Sequence, residues 1–579
     1  MTVWAALAAA TCIAEETASK DDGARVAWLK NHARAIRTVE PADTDFADLE
    51  PIQTAIGDAR VVMLGEQTHG DGTTFHAKTR LIRFLHEKCG FDVLAFESGL
   101  YDCHKAWELL NDRKTPVDKA VASGVFAIWT QSQQVRPLID YLGREAKGKQ
   151  PLELVGFDCQ FTAEASSKYL ADDLAAFFKQ LPEPLFGKEE QDEVIAACRA
   201  MAKPPAKISA TQKDAFAACQ KVLAALETID GGIPARELAF WKQFIDSAAA
   251  YAEAQRFLES KSPDDMTAYG NLRDTQMARN LVWLSRSAYP NRKIIVWAAS
   301  MHLMRNPATV KMLAIGEDGR PISPRESRTI YDKTVTLGHA AWQELGDDIY
   351  SITFTAAEGE FKLPWWTDAR KLGPVVPGSI EDLMLKAGFQ NAFVDLKRRG
   401  DGGQWLAEAL AARPMGHVYT EADWTRVFDG FIFTRTMTGS DLVKRPSELV
   451  RNRADDPAIQ KELARFQGEW VMEANEANGQ SLLAERLTMY QRTVKDDGYT
   501  IRINQPTGVS TIVGRFAINP SSDPGAIDAE PESGGLMRGI YKFDGDRLTV
   551  CFALAGEPRP KEFAAKAGTP TTVTVWRRK

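Results

Sequence analysis

The residue types best suited to chemistry follow short apolar runs in the first part of the chain. The run Val61–Glu66 ends in a glutamate, His69 comes three residues later, and the next apolar run ends at Glu97. Short apolar runs closed by a glycine or an acid are typical of buried parallel strands, and ligands bind beyond the carboxyl ends of such strands. We therefore expect Glu66, His69 and Glu97 to share a cleft, where carboxylates and an imidazole can move protons.

Two later runs add residues to this set. Asp158 and Gln160 follow the run that begins at Leu152, and His302 follows the run Lys293–Ala299. A single acid after a strand is often only a helix N-cap, and a single histidine is more often structural than catalytic. Acids and histidines at the ends of four consecutive runs favour one shared site over four unrelated ones.

These residue types leave few classes of chemistry. Histidine and carboxylates suit zinc or iron, but the cluster lacks a His-x-x-x-His or Asp-x-His ligand pair, so neither a metal nor another cofactor is expected. No Gly-x-Ser-x-Gly elbow lies at these strands, and no glycine-rich phosphate loop with its lysine occurs. General-base hydrolysis by activated water remains, and a metal-dependent hydrolase stays open as an alternative.

Strand-like and helical segments alternate along most of the chain, which predicts an α/β fold with a mostly parallel sheet between helical layers. The strand-like runs are Ala59–Glu66, Asp92–Glu97, Leu152–Asp158, Lys293–Ala299, Asp348–Thr355, Asn391–Leu396 and Gly430–Thr434. The segment at about 165–290 is rich in helix formers, and it predicts an inserted helical lobe. The lobe would cover the sheet edge where ligands bind, unless it is a purely structural insertion.

The pattern changes towards the C-terminus. Polar, proline-containing sequence at 446–457 predicts a linker after an α/β domain at 25–445. Residues 458–579 contain short alternating runs separated by turns, which predict a small all-β domain of sandwich or barrel type. These runs are Glu469–Glu473, Tyr499–Asn504, Thr511–Ile518, Gly539–Phe543 and Arg547–Ala553.

Composition excludes several classes of partner and location. The net charge of −7 and the absence of a basic run argue against nucleic acid. The sequence contains no stretch of about 18 apolar residues, the length that a membrane-spanning helix needs. Residues 1–14 resemble a signal segment without its basic leader, which predicts export to the periplasm or cell envelope, with a cytoplasmic protein as the alternative. Cys198 and Cys219 could form a disulfide; the oligomeric state is left open.

Short motifs in the right order between Arg25 and Thr438 resemble the erythromycin esterase family. The motifs include Gly65-Glu66-x-Thr68-His69-Gly70, Phe96-Glu97, Trp129-Thr130, Gly156-Phe157-Asp158-x-Gln160, Arg273-Asp274 and Trp297-Ala298 with His302. This family hydrolyses an ester without a covalent serine intermediate, and in its named members the ester is the ring ester of macrolide antibiotics. The resemblance implies that the substrate is a small-molecule ester or lactone.

The resemblance also implies roles for individual residues. His69 would be the base that activates water, with Glu66, Glu97 and His302 as its catalytic partners. The substrate-binding residues would be Lys78, Asp158, Gln160, Arg273 and His339. A cation near the reacting carbonyl would stabilise the tetrahedral oxyanion. The family usually has a second histidine where this chain has Ala299, and this departure leaves a non-catalytic small-molecule binding protein as an alternative.

The C-terminal sequence resembles a lipocalin-like bacterial domain family of unassigned activity. The motifs that carry this resemblance include Phe466-Gln467-Gly468-Glu469-Trp470, Gly539-Ile540-Tyr541 and Asp544-Gly545-Asp546. The resemblance implies a small barrel, in which Trp470, Tyr541 and Cys551 are core residues.

Overall fold

The structure is a computed structural model with two compact units. It describes residues 22–161, 163–182, 185, 187–202, 210–229, 231–258, 262–316, 328–329, 331–443, 447–505, 508–532 and 535–579. The signal segment predicted at 1–14 lies outside these residues. An α/β unit contains the chain up to Thr130, Gln134–Phe361 and Lys371–Gly439, and a barrel unit contains Gln131–Gln133, Lys362–Arg370 and Ser440–Lys579.

A mostly parallel sheet forms the centre of the α/β unit. The strands up to residue 437 are β1 Arg34–Ala35, β2 Val61–Glu66, β3 Phe91–Gly99, β4 Glu153–Asp158, β5 Lys293–Ala299, β6 Lys311–Met312, β7 Arg328–Thr329, β8 Ile349–Phe361, β9 Arg370–Lys371, β10 Asn391–Asp395, β11 Ala409–Ala412, β12 Thr420–Asp423 and β13 Gly430–Met437. The sheet order is β1-β10-β13-β8-β2-β5-β3-β4. Strands β13, β8, β2, β5, β3 and β4 are parallel to one another. At one edge of the sheet, β10 is antiparallel to β13 and β1 is antiparallel to β10. The predicted α/β class is confirmed.

Helices cover both faces of this sheet. They are α1 (22–32), α2 Glu50–Ile56, α3 Gly72–Cys89, α4 Leu100–Asp112, α5 Val117–Gly124, α6 Ala127–Thr130, α7 Arg136–Glu145, α8 Glu164–Lys168, α9 Leu170–Phe178, α10 Lys188–Met201, α11 Ala210–Leu226, α12 Ala235–Gln255, α13 Pro263–Trp283, α14 Ser300–Leu303, α15 Leu337–Leu345 and α16 Ile380–Ala387. Helices α8 to α13 all lie between β4 and β5 in the chain and form the predicted helical lobe. Cys198 and Cys219, on α10 and α11, are buried free thiols. No helix in the described ranges has both the length and the apolar character needed to cross a membrane.

Strand β2 shows why the strands of this sheet are continuous apolar runs in the sequence. Every residue of β2 is buried. Val61 and Met63 belong to the core on one face of the sheet, whereas Val62 and Leu64 belong to the core on the other. Successive side chains of a strand point to opposite faces, so a strand covered on both sides must be apolar throughout. The first ionisable side chain of this run is therefore Glu66, at its carboxyl end.

The contact between β3 and β4 is unusually close at their carboxyl ends. A β-bulge shifts the register of β3 between Phe96 and Gly99. A Cβ atom added to Gly156 of β4 would lie 2.3 Å from the carbonyl oxygen of Gly99 and 2.4 Å from that of Ser98. Only glycine fits this position, and Glu97 lies within the bulge.

The barrel unit contains one closed antiparallel sheet. Its strands are β14 Gly468–Ala477, β15 Gln480–Ser481, β16 Tyr490–Lys495, β17 Gly498–Gln505, β18 Gly508–Asn519, β19 Gly525–Pro531, β20 Met537–Asp544, β21 Arg547–Ala553 and β22 Thr571–Arg578, with helices α17 Pro457–Phe466 and α18 Ala484–Leu487. Strand β14 pairs with both β16 and β22, which closes eight strands into a barrel with β15 as an added hairpin strand. The predicted barrel is confirmed, and Trp470, Tyr541 and Cys551 are buried in it.

We expect Gly156→Ala to destabilise the protein by about 3 kcal/mol, because the added methyl group would press against two backbone carbonyl groups that cannot move independently. Gly373→Ala is the matched control, since a Cβ atom there meets nothing within 4 Å. Chemical denaturation of both variants measures the difference. Equal stabilities of the two variants would contradict the close approach of β3 and β4.

Candidate active site

The predicted strand-end residues lie at one edge of the sheet. Strands β2, β5, β3 and β4 are adjacent and parallel, so their carboxyl ends lie side by side. Glu66, Glu97 and Asp158 are all buried at these ends. They belong to two groups of interacting side chains, which we call the Glu66 cluster (Glu66, His69, Lys78 and Trp129) and the Glu97 cluster (Glu97, Asp158, Arg273, Asp274 and His302).

Glu66 is a fully buried carboxylate with three donors. Its Oε1 atom accepts hydrogen bonds from Trp129 Nε1 at 3.0 Å and His69 Nδ1 at 3.1 Å. Its Oε2 atom forms an ion pair with the ammonium group of Lys78. A buried carboxylate requires such compensation, because burial without partners would be very costly.

Lys78 reaches Glu66 from helix α3. The helix is N-capped by Asp71, whose Oδ1 atom accepts a hydrogen bond from the Thr74 backbone amide at 2.9 Å. The ammonium group also lies 3.3 Å from the Ala298 carbonyl oxygen and 3.9 Å from the centre of the Trp297 ring. Burial lowers the pKa of Lys78 to about 8, although the Glu66 charge opposes this change. The lysine is completely buried, and its hydrogen-bond partners are the Glu66 carboxylate and the Ala298 carbonyl oxygen.

His69 differs from its neighbours because its side chain is 36% exposed. Nδ1 is held by Glu66, whereas Nε2 has no hydrogen-bond partner among the described residues. The Trp129 ring stands at 85° to the imidazole with 5.5 Å between ring centres. Burial alone would lower the pKa of His69, but the hydrogen bond to Glu66 and the charges of Glu66 and Glu97 outweigh it and raise this pKa above 6.5.

The Glu97 cluster is a chain of alternating charges. Arg273 Nη2 lies 2.6 Å from Asp158 Oδ2 and 3.0 Å from Glu97 Oε1. His302 Nε2 lies 3.2 Å from the same Glu97 oxygen, and His302 Nδ1 lies 2.8 Å from Asp274 Oδ1. Arg273 and Asp274 are consecutive residues of α13, so the helical lobe supplies one cation and one anion to this cluster.

Both nitrogen atoms of His302 face carboxylates, which favours the imidazolium form. Burial alone would lower its pKa, but Asp274 and Glu97 together raise the pKa of His302 to about 10. For Glu97, burial alone would raise the pKa, and the charges of His302 and Arg273 outweigh this effect and hold the pKa well below its usual range. The two histidines of the site therefore differ: His302 is charged at neutral pH, whereas Nε2 of His69 has no hydrogen-bond partner among the described residues.

The end of β5 connects the two clusters through a single peptide group, the one between Ala298 and Ala299. The Ala298 carbonyl oxygen accepts from Lys78 in the Glu66 cluster. The Ala299 amide donates to Glu97 Oε2 at 2.9 Å in the Glu97 cluster. Glu97 thus joins the same edge as His69, as the sequence predicts, but its contacts are with Arg273 and His302.

Two predicted binding residues lie outside both clusters. The Gln160 amide nitrogen Nε2 is 2.5 Å from the Tyr269 hydroxyl, and the Gln160 backbone amide donates to Asp158. His339 accepts a hydrogen bond from the Asn306 backbone amide at 3.3 Å, and its other nitrogen lies near Gln343. Within the described chain, His339 has no hydrogen bond to a member of either cluster.

The sequence predicts no site role for Trp129 or Asp274. Trp129 lies in the short helix α6, far along the chain from any strand end, and the only sequence feature that points to it is the family motif that contains it. Asp274 is adjacent to a predicted site residue, but sequence gives no direction for its side chain. Asp71 has a recognisable signal, because an acid three residues before Thr74 at a helix start is typical of an N-cap.

A family description named Erythromycin esterase matches residues 86–437 of the chain. The chain belongs to the erythromycin esterase family. The matched region includes β3, β4, α13, β5 and α14, and hence the whole Glu97 cluster.

Individual relatives agree with this membership. The chain is 23% identical over 436 residues to the putative hydrolase YbfO of Bacillus subtilis (strain 168), with 72% of this chain and 92% of that protein covered. It is 19% identical over 448 residues to erythromycin esterase type II of Escherichia coli, with 72% and 98% covered. The solved structure of a mutant of the erythromycin esterase EreC in its open conformation aligns with a TM-score of 0.52 at 20% identity, covering 71% of this chain and 98% of that one. These names suggest that the chain is a hydrolase.

We expect Trp129→Phe to raise the pKa of His69. The variant keeps an aromatic ring but removes the N–H group that shares Glu66 Oε1 with His69, so the carboxylate charge acts more strongly on the imidazole. NMR titration of ring-labelled histidine measures this pKa without any assay of activity. Trp424→Phe is the matched control, because it removes a buried indole N–H bonded to the Leu410 carbonyl oxygen at 2.7 Å. An unchanged or lower His69 pKa in Trp129→Phe would contradict the expectation.

Proposed function

We propose that the α/β unit hydrolyses a carboxylic ester or lactone with water activated by His69. The observation that carries this proposal is the unequal use of the two His69 nitrogens. Glu66 binds Nδ1 and so favours the tautomer with its proton there, which leaves the Nε2 lone pair available on an exposed ring edge. A base held in one tautomer by a buried carboxylate can accept a proton from water.

The reaction follows from this geometry. Water attacks the ester carbonyl carbon while its proton passes to His69 Nε2, and the tetrahedral intermediate then expels the alcohol oxygen. The imidazolium returns the proton to this leaving oxygen, so that an ester and water become an acid and an alcohol. Glu66 stabilises the imidazolium between these two steps, and Lys78 holds Glu66 in place through their ion pair.

Arg273 is the best candidate for the group that stabilises the oxyanion. Its Nε and Nη2 atoms are committed to Asp158 and Glu97. Its Nη1 atom has no carboxylate partner in the described chain and lies 3.3 Å from His302 Nε2. Since His302 is held as a cation, Nη1 keeps its donors for a substrate oxygen. The buried position of Lys78 favours a positioning role for that lysine, and Asp158 would position Arg273.

We expect His69→Ala to lower kcat/KM by about 10²–10⁴-fold, the usual contribution of an oriented general base. The assay uses the full chain with nitrophenyl esters, simple macrocyclic lactones and a macrolide, and it follows product formation by mass spectrometry. His32→Ala is the matched control, because His32 is an exposed histidine whose ring stacks on Trp28 and which has no contact with either cluster among the described residues. Equal rates in wild type and His69→Ala would end the catalytic assignment. Binding of these compounds without turnover would favour the binding-protein alternative.

The pH dependence tests the role of Glu66. Because His69 works as a base, activity should rise with pH through a pKa above 6.5 in the wild type. Glu66→Gln removes the charge that raises this pKa and leaves burial, which lowers it. We therefore expect the acidic limb of the pH–rate profile to move to lower pH, while kcat falls because the imidazolium loses its counter-charge. A limb that does not move would contradict the pairing of Glu66 with His69 during catalysis.

A further inference from the structure

Gln160 and Tyr269 join the helical lobe to the loop after β4, next to the Glu97 cluster. Tyr269 lies four residues before Arg273 on α13, and Gln160 lies two residues after Asp158. Residues four apart on a helix share one face. The lobe and the loop therefore meet in two parallel contacts, the Arg273–Asp158 ion pair at 2.6 Å and the Gln160–Tyr269 hydrogen bond at 2.5 Å.

A second tyrosine of the lobe reaches the same place. Tyr251 belongs to α12, and its ring packs against that of Phe161, the residue after Gln160, with 5.5 Å between the ring centres. Burial raises the pKa of Tyr251, and the neighbouring Tyr269 adds to this rise. Phenol groups from two different helices thus converge beside one amide side chain.

These three side chains keep hydrogen-bonding groups that no described residue uses. The Gln160 amide donates one N–H to the Tyr269 oxygen, so its second N–H and the Tyr269 O–H have no acceptor in the described ranges. Tyr251 is only 9% exposed, and its hydroxyl has no hydrogen-bond partner among the described residues. Polar groups at such depth are unfavourable without a partner.

The position of these groups relates them to the reacting ester. Gln160 and Tyr269 are both half-buried, so a molecule from solvent can reach their polar atoms. Arg273, the candidate group for the oxyanion, lies one turn further along α13, and four residues advance a helix by about 6 Å. An oxygen bound by the tyrosines would therefore belong to a part of the substrate close to its ester carbonyl.

The charges nearby favour an uncharged ligand group. Arg273 already faces the carboxylates of Asp158 and Glu97, so a ligand anion would meet two negative charges against one positive charge. The unused groups are phenol and amide donors, which carry no net charge. Such donors match the lone pairs of a ketone or hydroxyl oxygen.

We propose that Tyr251, Tyr269 and Gln160 form a substrate subsite that binds an uncharged oxygen, a ketone or a hydroxyl, carried by the ester near its reacting carbonyl. This assignment rests on the proposed function, and it makes the substrate an oxygenated ester instead of a plain alkyl ester. A plain alkyl chain would leave the partly desolvated donors unpaired. A site built to hydrogen-bond a substrate group discriminates against the analogue that lacks it.

Hydrolysis of nitrophenyl 5-oxohexanoate and nitrophenyl hexanoate by the full chain tests this subsite. The ketone carbon of the first ester lies four carbon–carbon bonds from the ester carbonyl carbon, which spans about one turn of helix. We expect kcat/KM to be about tenfold higher for the keto ester, and Tyr251→Phe and Tyr269→Phe each to lower this ratio several-fold. Tyr101→Phe is the matched control: it removes a buried hydroxyl that already donates to Asp173 at 2.6 Å, and it should keep the wild-type ratio.

The ratio separates a substrate subsite from a contact that only holds the lobe in place. A loosened lobe would lower kcat/KM for both esters alike and leave the ratio unchanged. Equal kcat/KM values for the two esters in the wild type would overturn the proposal, and so would a ratio that neither Tyr251→Phe nor Tyr269→Phe lowers.

Isothermal titration with the corresponding anilides distinguishes this failure from a failure of the proposed function, because anilides resist hydrolysis. If neither ester is hydrolysed but 5-oxohexananilide still binds about tenfold more tightly than hexananilide, the subsite is supported and the hydrolytic function is wrong. If His69 is needed for hydrolysis of both esters but neither the esters nor the anilides are discriminated, the subsite is wrong and the hydrolytic function is supported.

Discussion

The buried charge of Glu66 is the constraint around which the candidate site is built. The carboxylate lies at the end of a central strand with no exposed surface. It is stable there because an ammonium group, an imidazole and an indole reach it from three other places in the chain. The positions of α3, of the loop after β2 and of α6 are thus tied to one pair of oxygen atoms. Removing any donor changes the charge that the other two experience.

The number of neighbouring carboxylates gives the two histidines different properties. His302 lies between Glu97 and Asp274, so both of its nitrogens are used and its positive charge is fixed. His69 has one carboxylate partner and a partly exposed ring, so its charge can change. A family resemblance can assign both residues to the site, but it does not show how many carboxylates surround each ring, and this number is what makes their pKa values differ.

Much of the fold follows from the sequence, because burial on both faces forces continuous apolar runs in the parallel strands. The runs that end at Glu66 and Asp158 are found within two residues of their predicted starts. The barrel strand β16 is not predicted, since Arg492 occupies an inward position and breaks the apolar alternation. At the site, strand ends indicate which acids converge, whereas the pairing of Arg273 with two of them depends on how α13 crosses the sheet edge. The direction of α13 is set by contacts between residues that are far apart in the chain, and a local sequence pattern does not predict such contacts.

The consecutive residues Arg273 and Asp274 have one further consequence. They bind oppositely charged partners on different strand ends, and both are rigidly attached to α13. A displacement of this helix away from the sheet would break both contacts at once and would leave Asp158 without its cation, whereas Glu97 and His302 would keep each other as partners. The position of α13 and the protonation of the side chains at this edge of the sheet therefore depend on each other.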